Sequence, residues 1–252
     1  MSEITFHQLG INLQFIFASI AFFCLLFFIA PYGKYFSNKW GVNLSKSHGW
    51  ILMESPAIFL FALIFFSGRN SLQLTPIIFL CIWQIHYLNR GLIFPLRMPF
   101  SGKLMPFVIV AFGFIFNSLN AYINARWISH FGVYEISWVS EPKFLIGLLM
   151  IIAGFMGNFH SDRILRKLRK EHADEYRIPC GGLFRWFVAP NYLCEIIMWI
   201  GWAFATWSLA GLAFAIFTAA NLIPRAWNYR SWYRKQFKNF PRDRKLLIPY
   251  VF

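Results

Sequence analysis

Ile11-Asn12-Leu13-Gln14-Phe15-Ile16-Phe17-Ala18-Ser19-Ile20-Ala21-Phe22-Phe23-Cys24-Leu25-Leu26-Phe27-Phe28-Ile29-Ala30 contains no charged residue. As a helix it is about 30 Å long at roughly 1.5 Å per residue, the thickness of a bilayer's hydrocarbon core. No Lys or Arg precedes it, so it lacks the basic start of a secretory signal and reads as a retained spanning helix. Six further apolar runs follow, at about Trp50–Phe66, Leu72–Leu88, Leu104–Tyr122, Phe144–Phe159, Tyr192–Trp207 and Leu209–Ile223. Lipid offers no partner for open backbone, so all seven are predicted to be helices. The expected fold is an all-α, polytopic membrane protein with seven transmembrane helices forming a single domain over residues 1–252.

Composition agrees, with 58% hydrophobic residues, only 13% charged, and a mean hydropathy of +0.51, which excludes an ordinary soluble domain. At about 20 residues per span, 252 residues leave no room for a separate soluble domain. Cys24, Cys81, Cys180 and Cys194 lack metal-ligand spacing and read as buried or reduced thiols.

On the seven-span reading, 21 of the 24 Lys and Arg fall on one side, in the loops holding Lys34 to Lys46, Arg90 to Lys103, Arg163 to Arg185 and Arg225 to Lys245. Only Arg69, Arg126 and Lys143 fall on the other. The positive-inside bias then predicts an N-terminus outside (periplasm or lumen) and a C-terminus in the cytosol. A net charge of +14 also suits anionic headgroups or a polyanionic ligand. Nucleic acid is not expected as a partner of so apolar a chain.

The basic segment Gly157-Asn158-Phe159-His160-Ser161-Asp162-Arg163-Ile164-Leu165-Arg166-Lys167-Leu168-Arg169-Lys170 continues the fifth span. At about 100° per residue, Asn158, Asp162, Arg166 and Arg169 share one face. An amide, a carboxylate and two guanidiniums in one stripe match the hydrogen-bonding groups of a nucleotide. The plainer alternative is an Asp162–Arg166 pair within a solvated helix. Pro190-Asn191-Tyr192-Leu193-Cys194-Glu195 opens the sixth span, with Asn191 and Glu195 one turn apart. They suit either a helix cap with an acid near a helix N-terminus, or the closing side of a nucleotide site. Arg225-Ala226-Trp227-Asn228-Tyr229-Arg230-Ser231-Trp232-Tyr233 ends the seventh span. Arg225, Asn228, Tyr229 and Trp232 fall on one face, with Tyr233 beside it, as an interfacial belt or a ring-stacking lining.

Glu54, inside the second span, is the acid a bilayer explains least, because a buried carboxylate costs several kcal/mol unless protonated or partnered. Its candidate partner is in Trp83-Gln84-Ile85-His86-Tyr87-Leu88-Asn89-Arg90, where Tyr87 carries a hydroxyl and Arg90 lies one turn on.

These motifs, with Glu54-Ser55-Pro56, His86-Tyr87, Tyr176-Arg177-Ile178-Pro179, Gly181-Gly182-Leu183-Phe184 and terminal Ile248-Pro249 in this order, resemble the steroid 5α-reductase family along nearly the whole chain. The resemblance implies an NADPH-dependent 3-oxo-5α-steroid 4-dehydrogenase that reduces the C4–C5 double bond of 3-oxo-Δ4-steroids. Glu54 and Tyr87 would hydrogen-bond the 3-keto oxygen as hydride reaches C5. Asn158, Asp162, Arg166, Arg169, Tyr176, Asn191, Glu195, Arg225, Asn228 and Tyr233 would hold NADPH, with Arg90 and Asn120 as further candidates. Residues 1–103 would then carry the substrate-polarising pair and 104–252 most of the cofactor site.

The implied partners are a steroid or other lipophilic enone and the bilayer, with the chain a monomer in a bacterial inner membrane or the endoplasmic reticulum. At Asn228-Tyr229-Arg230 the chain departs from many relatives, which are richer in histidine there. No G-x-G-x-x-G follows a strand, so the dinucleotide would be held without a Rossmann unit. Polyprenol and enoyl-thioester reductases share parts of the C-terminal pattern, which leaves another lipid enone or enoyl chain as the alternative substrate. A transporter or lipid-binding membrane protein using Glu54 as a proton or ion site is the alternative of another class, without visible inverted repeats to support it.

Overall fold

The computed structural model describes residues 2–97, 104–172 and 175–247. Lys103 and the Ile248-Pro249 motif lie outside the described residues. Among the described residues six helices are long and apolar enough to cross a membrane, the mark of an integral membrane protein. They are α1 (Glu3–Phe27), α2 (Lys46–Phe66), α3 (Leu74–Leu96), α4 (Phe107–Phe131), α5 (Pro142–Glu171) and α7 (Leu209–Gln236). The remaining expected span is α6 (Pro190–Thr206), an apolar helix of 17 residues, about 25 Å long. α5 runs past its apolar portion into the basic segment without a helix breaker before His172, and α7 continues through Pro224 into its basic segment as far as Gln236.

α6 is clasped between α5 and α7, and α1 lies along α7. The α5–α6 contact depends on small residues. A Cβ on Gly147 would lie 2.5 Å from the Ala205 nitrogen and the Gly201 oxygen, and one on Gly154 would lie 2.5 Å from the Cys194 oxygen. Backbones this close gain van der Waals contact that larger residues would forbid. Gly154→Val is therefore expected to separate α5 from α6 and abolish the folded, detergent-stable protein, as read by size-exclusion chromatography.

Wide helical turns at Pro56–Leu60 in α2 and Asn89–Ile93 in α3 shape the interior near Glu54 and Arg90. Pro56 has no N–H for the carbonyl of Leu52, and the Ser55 hydroxyl donates to that carbonyl instead at 2.8 Å. Side chains from neighbouring helices satisfy others nearby. Trp83 Nε1 donates to Ala57 O at 2.8 Å, Gln84 Nε2 to Ile58 O at 3.0 Å and Asn117 Nδ2 to Met53 O at 2.9 Å. The Glu54-Ser55-Pro56 motif is thus a helix widened beside its acid and held open by α3 and α4.

Trp83 centres the apolar core, stacked on Phe61 at 4.3 Å and close to Tyr87, Trp199, Trp202 and Phe214. Two short antiparallel strands, β1 (Asn43–Ser45) and β2 (Leu104–Pro106), tie together the segments that precede α2 and α4. The loop before α6 is fastened by the C-terminal segment, where Val188 N donates to Lys245 O and Arg244 Nη1 to Pro179 O, both at 2.9 Å. All four cysteines are free. Only Cys194 is buried. Cys24 and Cys81 are exposed on the outer surfaces of apolar helices, where lipid is the solvent, and Cys180 is exposed in the loop before α6.

Candidate functional site

One cavity of about 750 Å³ opens among the helices, and its wall takes residues from each of α1 to α7. Its polarity changes along α7. Phe214, Phe217, Thr218, Asn221, Arg225, Tyr229 and Tyr233 line it in succession, one stripe at helical spacing about 28 Å long. Phe and Trp surround one end, with Phe112, Phe116 and Trp199 beside Phe214 and Phe217. Arginines and tyrosines surround the other.

Glu54 and Tyr87 both reach this wall, although sequence left open whether they face one another. Glu54 is 8% exposed, and its Oε2 accepts from Asn117 Nδ2 at 3.2 Å. Tyr87 is 3% exposed, and the polar side chain beside its hydroxyl is Asn120.

Asp162, Arg166, Arg169, Tyr176, Asn191, Glu195, Arg225 and Tyr233 also line the cavity. Their internal pairing differs from the expectation. Asp162 is partnered by Arg90 of α3, Nη1 to Oδ2 at 3.3 Å, and not by Arg166 one turn along its own helix. Arg90 also reaches Glu195 at 3.7 Å and stacks over Trp50 and Phe94. A wide turn at Asn89–Ile93 carries Arg90 into the interior, which helical periodicity does not foresee. Asn158 stands behind the wall, where its amide donates to Asn191 O at 2.9 Å and Glu195 Oε2 at 3.4 Å. Asn191 is not the helix cap considered above, since Ala189 holds that position and Pro190 opens α6. Arg225 donates to the Tyr192 hydroxyl at 3.0 Å and lies over the Tyr32 ring.

Asn120 and Asn228 are not in the wall. Asn120 sits fully buried behind Tyr87. Asn228 contributes its backbone oxygen, which accepts from the Tyr35 hydroxyl at 2.9 Å.

That last bond belongs to a strap the sequence reading overlooked, the segment between α1 and α2. It lays Tyr32 and Lys34 on the wall. Lys34 Nζ stands 3.8 Å from the Tyr229 ring, 4.1 Å from Trp232 and 4.4 Å from Tyr233, and burial pushes its ammonium down to about 7. The available signal was Tyr32-Gly33-Lys34-Tyr35, a basic residue among aromatics like the end of α7.

Among the described residues no carboxylate lies within ion-pairing distance of Lys34, Arg166 or Arg169. Three cations without carboxylates at the polar end fit a ligand carrying several phosphates. No cluster of His, Cys, Asp and Glu suited to a metal occurs among the described residues.

Fold and site together define a polytopic helical membrane protein in which a buried carboxyl and phenol share one interior cavity with a cationic, aromatic end. Comparison with known proteins is specific about which one. The sequence profile of the family described as 3-oxo-5-alpha-steroid 4-dehydrogenase matches residues 103–252. Steroid 5-alpha-reductase DET2 of Arabidopsis thaliana is 41% identical over 235 residues, 90% of each chain. The 3-oxo-5-alpha-steroid 4-dehydrogenase 1 of Rattus norvegicus is 38% identical over 225 residues, 88% of this chain and 86% of its own. The protein of the same name from Homo sapiens is 37% identical over 224 residues, again 88% and 86%. The chain belongs to the steroid 5-alpha-reductase family and is an oxidoreductase.

Proposed function

We propose that the protein reduces the C4–C5 double bond of a 3-oxo-Δ4-steroid with NADPH. The observation that carries this reading is the cavity whose wall passes from Phe214 and Trp199 through Tyr87 and Glu54 to Arg225 and Tyr233. A lipophilic enone suits the first end and a dinucleotide the second.

NADPH supplies the hydride that reaches C5. Arg166, Arg169, Arg225 and Lys34 hold its phosphates, and the faces of Tyr176, Tyr229 and Tyr233 offer stacking surfaces for its rings. The carbonyl of Asn191, the carboxylates of Asp162 and Glu195 and the Asn158 amide behind them form one rigid polar wall, because Arg90 links the two acids and Asn158 links Asn191 to Glu195. Tyr87 donates its O–H to the 3-keto oxygen and stabilises the negative charge that collects there as C5 gains hydride. Glu54, held by Asn117, approaches the same oxygen or keeps the phenol aligned. The enolate left by hydride addition takes up one proton at C4, drawn ultimately from water, which completes the saturated ketone. The dry aromatic surroundings strengthen each of these interactions, since no bulk water competes with them.

Purified protein incubated with NADPH and a 3-oxo-Δ4-steroid should consume NADPH in step with formation of the 5α-reduced ketone. Unchanged NADPH absorbance across a panel of such steroids would sink the reading.

Lys34 makes the cofactor step pH-dependent. Its ammonium loses a proton near pH 7 in the ligand-free protein, and a phosphate favours the protonated form, so binding above that pH requires proton uptake. Affinity for NADPH is expected to fall by up to about tenfold per pH unit between roughly 7 and 9. Lys34→Met should bind more weakly at pH 6 and show a flatter profile, as measured by equilibrium titration.

We further propose seven spans, with α6 as the sixth, the N-terminus outside and the C-terminus in the cytosol. Charge bookkeeping favours it. Of the three cations on the other side, Arg126 is paired with Glu3 at 2.5 Å and Lys143 with Glu141 at 2.7 Å, while the cavity-facing side keeps unpaired arginines. In sealed right-side-out vesicles, Cys180 in the loop before α6 should resist a membrane-impermeant maleimide and react after permeabilisation. Labelling of Cys180 in sealed vesicles would reverse the orientation.

A further inference from the structure

Four polar side chains cross the middle of the apolar bundle without touching the cavity. Gln14 of α1, Asn120 and Asn124 of α4 and Trp202 of α6 are each at most 1% exposed. Trp202 Nε1 donates to Asn124 Oδ1 at 2.9 Å. Asn124 Nδ2 donates to the backbone oxygen of Asn120 at 3.1 Å and to its side-chain Oδ1 at 3.0 Å. Gln14 Nε2 donates to that same Oδ1, also at 3.0 Å.

An amide can ordinarily be turned end for end, but this chain is pinned. An indole N–H can only donate and a backbone carbonyl can only accept. Asn124, held between one of each, has a single orientation, with its oxygen toward Trp202 and its NH₂ toward Asn120. Asn120 is then fixed in turn, because two donors converge on its oxygen. Its NH₂ is left facing the other way, with no protein acceptor in hydrogen-bonding geometry among the described residues, toward the Tyr87 hydroxyl beside it.

We infer that Trp202, Asn124 and Asn120 are positioning residues that set the direction of the Tyr87 proton. An NH₂ group facing the phenol oxygen offers it donors only, so when the two close to hydrogen-bonding distance on substrate binding that oxygen is the acceptor on the protein side. No described hydrogen bond runs from the Tyr87 hydroxyl to a protein acceptor, and Tyr87 lines the cavity, which leaves its O–H for the substrate carbonyl. Reversing the Asn120 amide would present a carbonyl oxygen, which would capture the phenol proton and turn it away from substrate. Buried amides in an apolar core are costly unless satisfied, and helix-to-helix adhesion alone would need no particular direction. Here every link has one, and the last link ends at Tyr87. The inference rests on the reading of Tyr87 as the group that polarises the 3-keto oxygen.

The test is a mutant cycle on the full-length protein in detergent or nanodiscs. Trp202→Phe keeps the ring in its aromatic cluster and removes one N–H. Asn120→Leu removes the terminal donor. Each is made alone and in a Tyr87→Phe background, and kcat, the KM for NADPH and thermal stability are measured. The expected result is a kcat lowered about ten- to hundredfold in each single variant with KM for NADPH unchanged. In the Tyr87→Phe background neither substitution should lower kcat further, because residues that act through one group are not additive.

Full kcat in Asn120→Leu would overturn the inference. So would an equal fold-loss in both backgrounds, which is the signature of packing alone. If Tyr87→Phe itself keeps full turnover, the assignment of Tyr87 fails and takes the relay with it, an outcome distinct from the other two. Should Asn120→Leu not fold, Trp202→Phe decides by the same comparison.

Discussion

Tyr87→Phe is expected to lower kcat about a hundredfold to a thousandfold, the usual effect of removing one donor to a developing oxyanion, with little change in affinity for NADPH. The substitution deletes a single hydroxyl. Its ring remains packed between Trp83 at 4.8 Å and Trp199 at 5.8 Å, so the core and the cationic end of the cavity persist. Glu54→Gln should fall in the same direction, since it lines the same wall and is held by Asn117. Steady-state rates together with direct cofactor titration check both. Equal loss of rate and cofactor binding would place Tyr87 in the nucleotide site and end its assignment as the polarising group.

Arg90→Met is expected to destabilise the protein by about 3–5 kcal/mol, because removing one member of a buried ion pair leaves the other charged group uncompensated. Here two carboxylates are left, Asp162 and Glu195, with side chains only 9% and 16% exposed. Affinity for NADPH should fall with stability, since these acids line the cavity at the end proposed for the cofactor. Adding Asp162→Asn to Arg90→Met should recover part of the stability in thermal unfolding. A pair of strictly additive losses would mean that Arg90 and Asp162 are not coupled.

Much of the cavity's cationic end was legible in the chain. Asn158, Asp162, Arg166 and Arg169 share a helix face by spacing alone, and α5 runs unbroken through them, so helical periodicity carries the prediction directly. The pairing was not legible. Asp162 meets Arg90 and not Arg166, because a wide turn in α3 rotates Arg90 inward, and periodicity assumes an unbroken helix. Lys34 was missed for another reason, since loops have no repeat by which to place a side chain.

Sequence alone determined that the chain is a membrane protein of apolar helices, because bilayer thickness and the cost of bare backbone in lipid act on each segment separately and leave one solution per run. It also determined that Glu54 is exceptional, since a carboxylate within such a run is costly whatever surrounds it. Only the tertiary structure decided that Glu54 and Tyr87 share one cavity, that Arg90 binds two acids, and that the Asn120 amide is pinned by Gln14 and Asn124. Each depends on which faces of separate helices meet. That is set by the close approach of glycines such as Gly147 and Gly154 and by proline-widened turns such as the one at Pro56, whose effect on direction appears only when the helices pack.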